Sequence, residues 1–344
     1  MKKFSIVYII FRTRENTGSK VVFHHALAFR KKGYDVKIYT LFGKPASWFP
    51  PQITTYSIFS SFFHSRPDVL VATFWPTVYV AFFLRARKKC YLIMGWEEDF
   101  YSHPLLRFFA RLTYKLPIKK IVLSDYLRKR LQKYNKHEKN ISKIDTYPLS
   151  PSLYNKGIRK YNHSSDNSRR KRIHILSVIS WYNRYKGPDL LVEAIQKLKK
   201  NHPEYYFTVV GREKMSYSPL IDRFLSNPPS SKIADLYRES DVLLITSRVE
   251  GFYIPGIEAM ASGCPVISTN CGGISEYAIH NYNCIIMNSS ISELWEQDLI
   301  EKILKDRKLT RRLVANGRET AKKYQNLTWD DITKSLEKIY FNFN

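Results

Sequence analysis

Short apolar runs alternate with stretches of helical periodicity along this chain. Residues 5–10 form the first run, and after a polar loop Val22, Ala26 and Phe29 recur at helical spacing up to about Lys32. A turn at Gly33 leads into a second run ending at Tyr39, and further runs occupy 68–72, 91–94, 121–124, 173–178, 206–211, 241–246 and 266–268. Strand-sized runs separated by helical stretches predict an α/β fold with parallel sheets. The pattern lapses over residues 155–172, which are rich in Asn, Ser and basic residues and read as a linker. The fold expected is therefore two Rossmann-like parallel-sheet domains, residues 1–154 and 173–325, followed by a terminal segment 326–344.

One βαβ step concentrates the chemistry. The run 241–246 gives out at Ser247, a loop follows, Pro255 and Gly256 open a helix, Gly263 closes it, and Val266 begins the next strand. In such a step the loop and helix start lie at the carboxyl end of the sheet, where ligands bind. Amides around 252–256 are then expected to face an anion, most simply a phosphate. Glu250 and Glu258 flank that position. Two carboxylates repel a bare anion but accept hydrogen bonds from sugar and ribose hydroxyls, so a nucleotide sugar satisfies both. For Glu258 the plain alternative is a first-turn acid favoured by the helix dipole.

The run from Glu250 through Pro255, Glu258, Ala259, Met260, Ala261, Gly263 and Pro265, with Gly272, Gly273 and Glu276 after the next strand, resembles the signature of retaining family-4 glycosyltransferases of the GT-B fold. The resemblance implies two domains facing each other across a cleft, with the last helix crossing back to the first domain. It implies that Glu250 contacts the donor sugar, Glu258 the ribose hydroxyls, and Gly251, Phe252, Tyr253 and Ile254 the rest of the donor. Residues 181–189 resemble the family's Lys-Gly turn, in which Lys186 would reach the donor diphosphate; Arg184 stands in for an Arg that relatives carry earlier. Gly211, ending a strand, falls near the expected nucleoside pocket. Gly18 is what remains of the paired glycines that the family often has in its first loop. Transfer with retention, no required metal and no cofactor are implied, the donor being a UDP-, dTDP- or GDP-linked sugar.

The strand at 91–94 delivers Trp96, Glu97, Glu98, Asp99, Phe100, Tyr101 and His103. Aromatic faces stack on sugar rings and carboxylates accept their hydroxyls, so Trp96, Glu97, Glu98, Tyr101 and His103 are acceptor-site candidates. Glu97 is the best bet for contact with the reacting substrate, and His103 has a helix cap or a surface role as its alternative. This segment, with the Ala72-to-Thr77 turn, is similar to rhamnan-type rhamnosyltransferases within family 4.

Charge changes the picture for the first half. The chain of 344 residues has a net charge of +26. Residues 1–150 hold 27 Lys and Arg against 9 acids, whereas 173–344 hold 22 against 20. That asymmetry points to an anionic partner, a phospholipid surface or a lipid pyrophosphate before nucleic acid, with solvated lysines as the plain alternative. Arg107, Arg111, Lys115, Lys119, Lys120 and the basic residues 128–136, beside an apolar stripe at 108, 109, 112 and 116, are expected to form a membrane-facing patch. Cys90, Cys264, Cys271 and Cys284 show no metal or disulfide spacing, which favours reduced thiols in a cytoplasmic chain. No transmembrane segment is expected. The function expected is transfer of a hexose or deoxyhexose to a saccharide acceptor: a lipid-linked oligosaccharide, a glycoprotein glycan or a surface polysaccharide. A nucleotide-sugar epimerase of the same fold, a non-catalytic subunit and a nucleic-acid binder are the rivals.

Overall fold

Strand β1 (Ser5–Arg12) is buried at every position from Ile6 to Ile10, so it needs neighbours on both sides and cover on both faces. It is the hub of a seven-stranded sheet in the computed structural model, which describes residues 4–13, 16–43, 46, 48, 53–58, 66–134, 140–145, 147–155, 172–212, 219–288 and 290–342. Helix α1 (Thr17–Lys31) follows. The Asn16 side chain caps it by accepting from the Ser19 amide at 2.7 Å, and Val22, Ala26 and Phe29 are buried. Then come β2 (Asp35–Phe42), β3 (Thr55–Ser57), β4 (Val69–Ala72), α2 (Trp75–Phe83), β5 (Lys88–Ile93), α3 (Pro104–Lys115), β6 (Lys119–Val122), α4 (Asp125–Gln132) and β7 (Ile141–Lys143). The strand order is β3-β2-β1-β4-β5-β6-β7, all parallel.

The second unit begins with α5 (Pro151–Tyr154) and β8 (Ile173–Val178). It continues with α6 (Pro188–Asn201), β9 (Tyr205–Gly211), β10 (Arg223–Ser226), α7 (Ser230–Glu239), β11 (Val242–Ile245), α8 (Ile254–Ala261), β12 (Val266–Thr269) and β13 (Ile285–Met287). Helices α9 (Glu293–Glu296), α10 (Leu299–Lys305) and α11 (Arg307–Gln325) complete it. Its six strands, also all parallel, run β10-β9-β8-β11-β12-β13. The division falls after Tyr147 and after Asn326, so the last helix, α12 (Trp329–Tyr340), belongs with the first unit. There Ile332, Leu336 and Tyr340 are buried in the core with Phe29, and the Tyr340 and Tyr8 hydroxyls lie 3.4 Å apart.

The strands expected from apolar runs are present, with ends shifted by up to three residues. The unforeseen ones, β3, β7, β10 and β13, hold only three or four residues and lie at or beside the outer edges of the sheets, too short to show a period. Of the expected linker, residues 156–171 lie outside the described residues. All four cysteines are free and buried. No helix among the described residues is long and apolar enough to cross a membrane.

The expected basic patch needs correction. Lys120 is a buried strand residue whose ammonium donates to the Leu116 carbonyl, because β6 is covered on both faces. Arg111 bonds Glu98, Arg107 lies 3.8 Å from Glu98 and 3.9 Å from Asp99, and Arg130 bonds Asp99 at 2.6 Å. These cations neutralise Glu98 and Asp99. Lys136 lies outside the described residues.

Candidate active site

In the second sheet the strand order reverses between β8 and β11, and the loops leaving these two strands flank that switch point. The loop after β8 carries Lys186; the loop after β11 carries Glu250. Gly187 (φ 67°) permits the approach: a Cβ there would sit 1.9 Å from the Thr246 carbonyl oxygen. The Arg248 amide donates to the Tyr185 carbonyl at 2.7 Å, and the Arg248 guanidinium pairs with both oxygens of Asp189 at 2.6 Å. The two loops are thereby laced together.

Lys186 Nζ donates to Glu250 Oε1 at 2.7 Å and Oε2 at 2.8 Å, and Ser247 Oγ donates to Oε1 at 2.7 Å. Glu250 is 7% exposed and the Lys186 side chain 24%. Burial works against the ammonium, but the Glu250 charge outweighs it and holds the Lys186 pKa above its ordinary value. From the third side, the Glu250 amide donates to the Cys271 carbonyl at 2.8 Å and the Gly273 amide to the Glu250 carbonyl at 3.0 Å. A Cβ on Gly273 would lie 2.2 Å from the Gly251 carbonyl carbon, so only glycine fits. Cys271 stays a thiol, pushed up to about 12 by burial and by the neighbouring Glu250.

The chain enters α8 through Tyr253 in the left-handed region (φ 66°, ψ 75°). The Tyr277 hydroxyl donates to the Tyr253 carbonyl at 2.8 Å, and the Tyr253 hydroxyl to the Val178 carbonyl at 2.8 Å, which hold that turn. Phe252, Tyr253 and Ile254 are buried, so this turn offers a ligand backbone rather than side chain. One turn into α8, the half-buried Glu258 accepts from the Tyr154 hydroxyl at 2.5 Å and the Tyr237 hydroxyl at 3.0 Å.

Residues 160–320 match the family model for glycosyl transferases group 1. An uncharacterised glycosyltransferase of Methanocaldococcus jannaschii is 29% identical over 168 residues, 45% of this chain and 44% of that protein. The chain thus aligns with less than half the length of that relative. Sucrose-phosphate synthase from Thermosynechococcus elongatus superposes with a TM-score of 0.75 at 17% identity, covering 98% of each chain. Alr3699/HepE of Anabaena, solved with UDP-glucose, gives 0.73 at 15% identity over 97% of this chain and 99% of its own. The fold is GT-B.

Within the second GT-B unit, Lys186, Glu250 and Ser247 stand together, with Gly251 to Ile254 leading into α8. Arg184 is exposed, and its carbonyl accepts from Arg248 at 3.0 Å. Gly211 ends β9 with its carbonyl accepting from the Asn227 amide at 2.9 Å. Within the first unit, Gly18 lies in the first turn of α1, where a Cβ would sit 3.3 Å from the Met94 methyl. Trp96 is fully buried, its ring 4.3 Å from that of Tyr114 with the Arg130 guanidinium 4.3 Å over it, so its faces are already covered. Glu97 is buried and accepts from the Trp75 amide at 2.6 Å; burial pushes its carboxyl up to about 8. Tyr101 accepts from the Trp75 indole at 2.9 Å, and His103 caps α3 by accepting from the Leu105 amide at 3.3 Å. Sequence reading assigned no role to Ser247, Tyr154, Tyr237 or Tyr277. Tyr237 stands on an anticipated helix, but nothing in its spacing links it to Glu258, 21 residues on.

Proposed function

We propose that the protein transfers a hexose or deoxyhexose from a nucleotide-diphosphate sugar to a saccharide acceptor, with retention of anomeric configuration and without a metal. The observation carrying this reading is the Lys186–Glu250 pair at the switch point, beside the first turn of α8. In the reaction the bond from the anomeric carbon to the diphosphate breaks and the acceptor oxygen bonds to that carbon on the same face. The acceptor proton passes to the departing phosphate oxygen. Lys186 and the amides opening α8 stabilise the charge that develops on the leaving group, an effect that strengthens in the transition state. Glu250 orients Lys186 and accepts from donor-sugar hydroxyls, and Glu258, fixed by its two tyrosines, accepts from the ribose. The UDP-glucose bound by the HepE protein and the family match over residues 160–320 support a nucleotide-sugar donor.

The test is release of nucleoside diphosphate from a panel of UDP-, dTDP- and GDP-sugars with and without saccharide acceptors, followed by the anomeric configuration of the product. Acceptor-dependent release with a retained product, abolished in Lys186→Ala, is the expected result. Sugar epimerisation without an acceptor, or an inverted product, overturns the reading.

A further inference from the structure

Helix α3 turns its apolar face to solvent. At about 100° per residue, Leu105, Phe108, Phe109 and Leu112 fall on one side of the helix, and Arg107, Ala110, Arg111 and Tyr114 on the other. A surface helix ordinarily buries the apolar side. Here Ala110 and Tyr114 are the buried pair and Arg107 and Arg111 reach the acids of the 97–99 segment, while Leu105 is 55% exposed, Phe108 51% and Phe109 39%. The end of α2 adds Phe82 and Phe83, the latter 81% exposed. Tyr79, one turn before them on the same face of α2, donates its hydroxyl to the Phe109 carbonyl at 2.7 Å, so the two helices lie side by side. Isolated exposed apolar residues are ordinary; an aligned stripe of aromatics on adjacent helices marks an interaction surface.

Charge selects the partner. Arg85, just past α2, and Lys115, ending α3, are exposed beside the stripe. The acids behind it, Glu98 and Asp99, are neutralised by Arg107, Arg111 and Arg130 and so do not repel an anionic surface. Residues 1–150 hold 27 cationic against 9 acidic side chains. A second copy of the chain would bring the same cationic excess face to face. An apolar stripe fringed by cations instead suits the boundary between anionic headgroups and acyl chains. We propose that the outward face of α3, with the end of α2, seats the protein on an anionic lipid bilayer. This surface belongs to the first unit and is independent of the Lys186 site in the second.

Co-sedimentation of the full chain with vesicles of phosphatidylcholine alone, and with about 30% phosphatidylglycerol added so that the surface carries a negative potential, tests the proposal. The wild type is expected to bind the anionic vesicles at least tenfold more tightly. Phe108→Ser/Phe109→Ser is expected to lose that binding tenfold or more while retaining the wild-type unfolding midpoint and nucleoside diphosphate release from soluble donor. Should that variant fail to fold, Phe83→Ser/Leu105→Ser replaces it. As a gain-of-signal check, Phe108→Trp emission, less that of wild type, is expected to be quenched by brominated acyl chains. Wild type that ignores both vesicles, variants that bind as wild type, or an unquenched Phe108→Trp would each overturn the proposal. So would a wild-type dimer made monomeric by the serine variants without vesicle binding, which would make the stripe a self-association face.

Discussion

Lys186 Nζ stands 2.7 and 2.8 Å from the two carboxylate oxygens of Glu250, across 64 residues of sequence. Each is the counter-charge that lets the other sit at the end of a buried sheet. Removing one leaves an unpaired charge, with Ser247 left as a hydrogen-bond donor to Glu250. Lys186→Met is expected to cost about 2 kcal/mol, less than a fully enclosed pair because the lysine keeps contact with water. The double variant Lys186→Met/Glu250→Gln should recover part of that loss. Denaturant midpoints measure both, and additive losses would contradict the pairing. Activity is expected to fall about 100-fold or more in each variant.

The hydroxyls of Tyr154 and Tyr237 both point at Glu258. Tyr237→Phe deletes a bond to a charged acceptor and is expected to cost about 1.5 kcal/mol. If Glu258 holds the ribose, the same variant raises the donor KM several-fold with kcat nearly unchanged. A fall in kcat at constant KM would move Glu258 from donor binding to the chemical step.

Two glycines set the loops that bear the pair. Gly187→Ala would drive a Cβ into the Thr246 carbonyl at a positive φ, and Gly273→Ala would drive one into the Gly251 backbone. Each is expected to cost about 2 kcal/mol or more and to reduce donor turnover, read by thermal unfolding and by nucleoside diphosphate release. Gly33→Ala, with open space around it but a positive φ, serves as the milder control, about 1 kcal/mol.

Stability should depend on pH in opposite senses through two buried groups. Burial raises the Glu97 carboxyl from 4.5 to about 8, so the folded chain holds a proton the unfolded chain has lost, and stability falls as pH rises towards 8. Burial, with His24 adding to it, lowers His25 from 6.5 to about 3, so stability is lost as pH drops below 6.5. Between 4.5 and 6.5 the two oppose each other. From 6.5 to 8 the Glu97 effect acts without that opposition, with a slope approaching 1.4 kcal/mol per pH unit. Glu97→Gln should flatten that limb, and unfolding midpoints across pH 6 to 8 measure it.

The sequence was most informative where a residue acts through its own neighbours. The apolar runs located the long strands, and the glycines and Pro255 marked the turns and the helix of the 247–269 step. It was least informative where partners are distant. Trp96, a reasonable sugar-stacking candidate from composition, is covered by Tyr114 and Arg130, eighteen and thirty-four residues away in the chain. Lys120, counted among surface cations, turned out to be strand core.

Local pattern determined the α/β alternation and the helix opened by Pro255, and it placed Glu250 and Glu258 on either side of that helix's start, because periodicity and turn preferences are written in adjacent residues. Lys186 was singled out by the resemblance of residues 181–189 to a family's Lys-Gly turn. Only the tertiary structure decided that Lys186 spends its charge on Glu250, that Tyr154 and Tyr237 converge on Glu258, and that α3 shows solvent its apolar side. The first follows from which strands become neighbours at the β8/β11 switch, and the last from the pairing of Arg107 and Arg111 with Glu98 and Asp99. Neither is a property of any single stretch of chain.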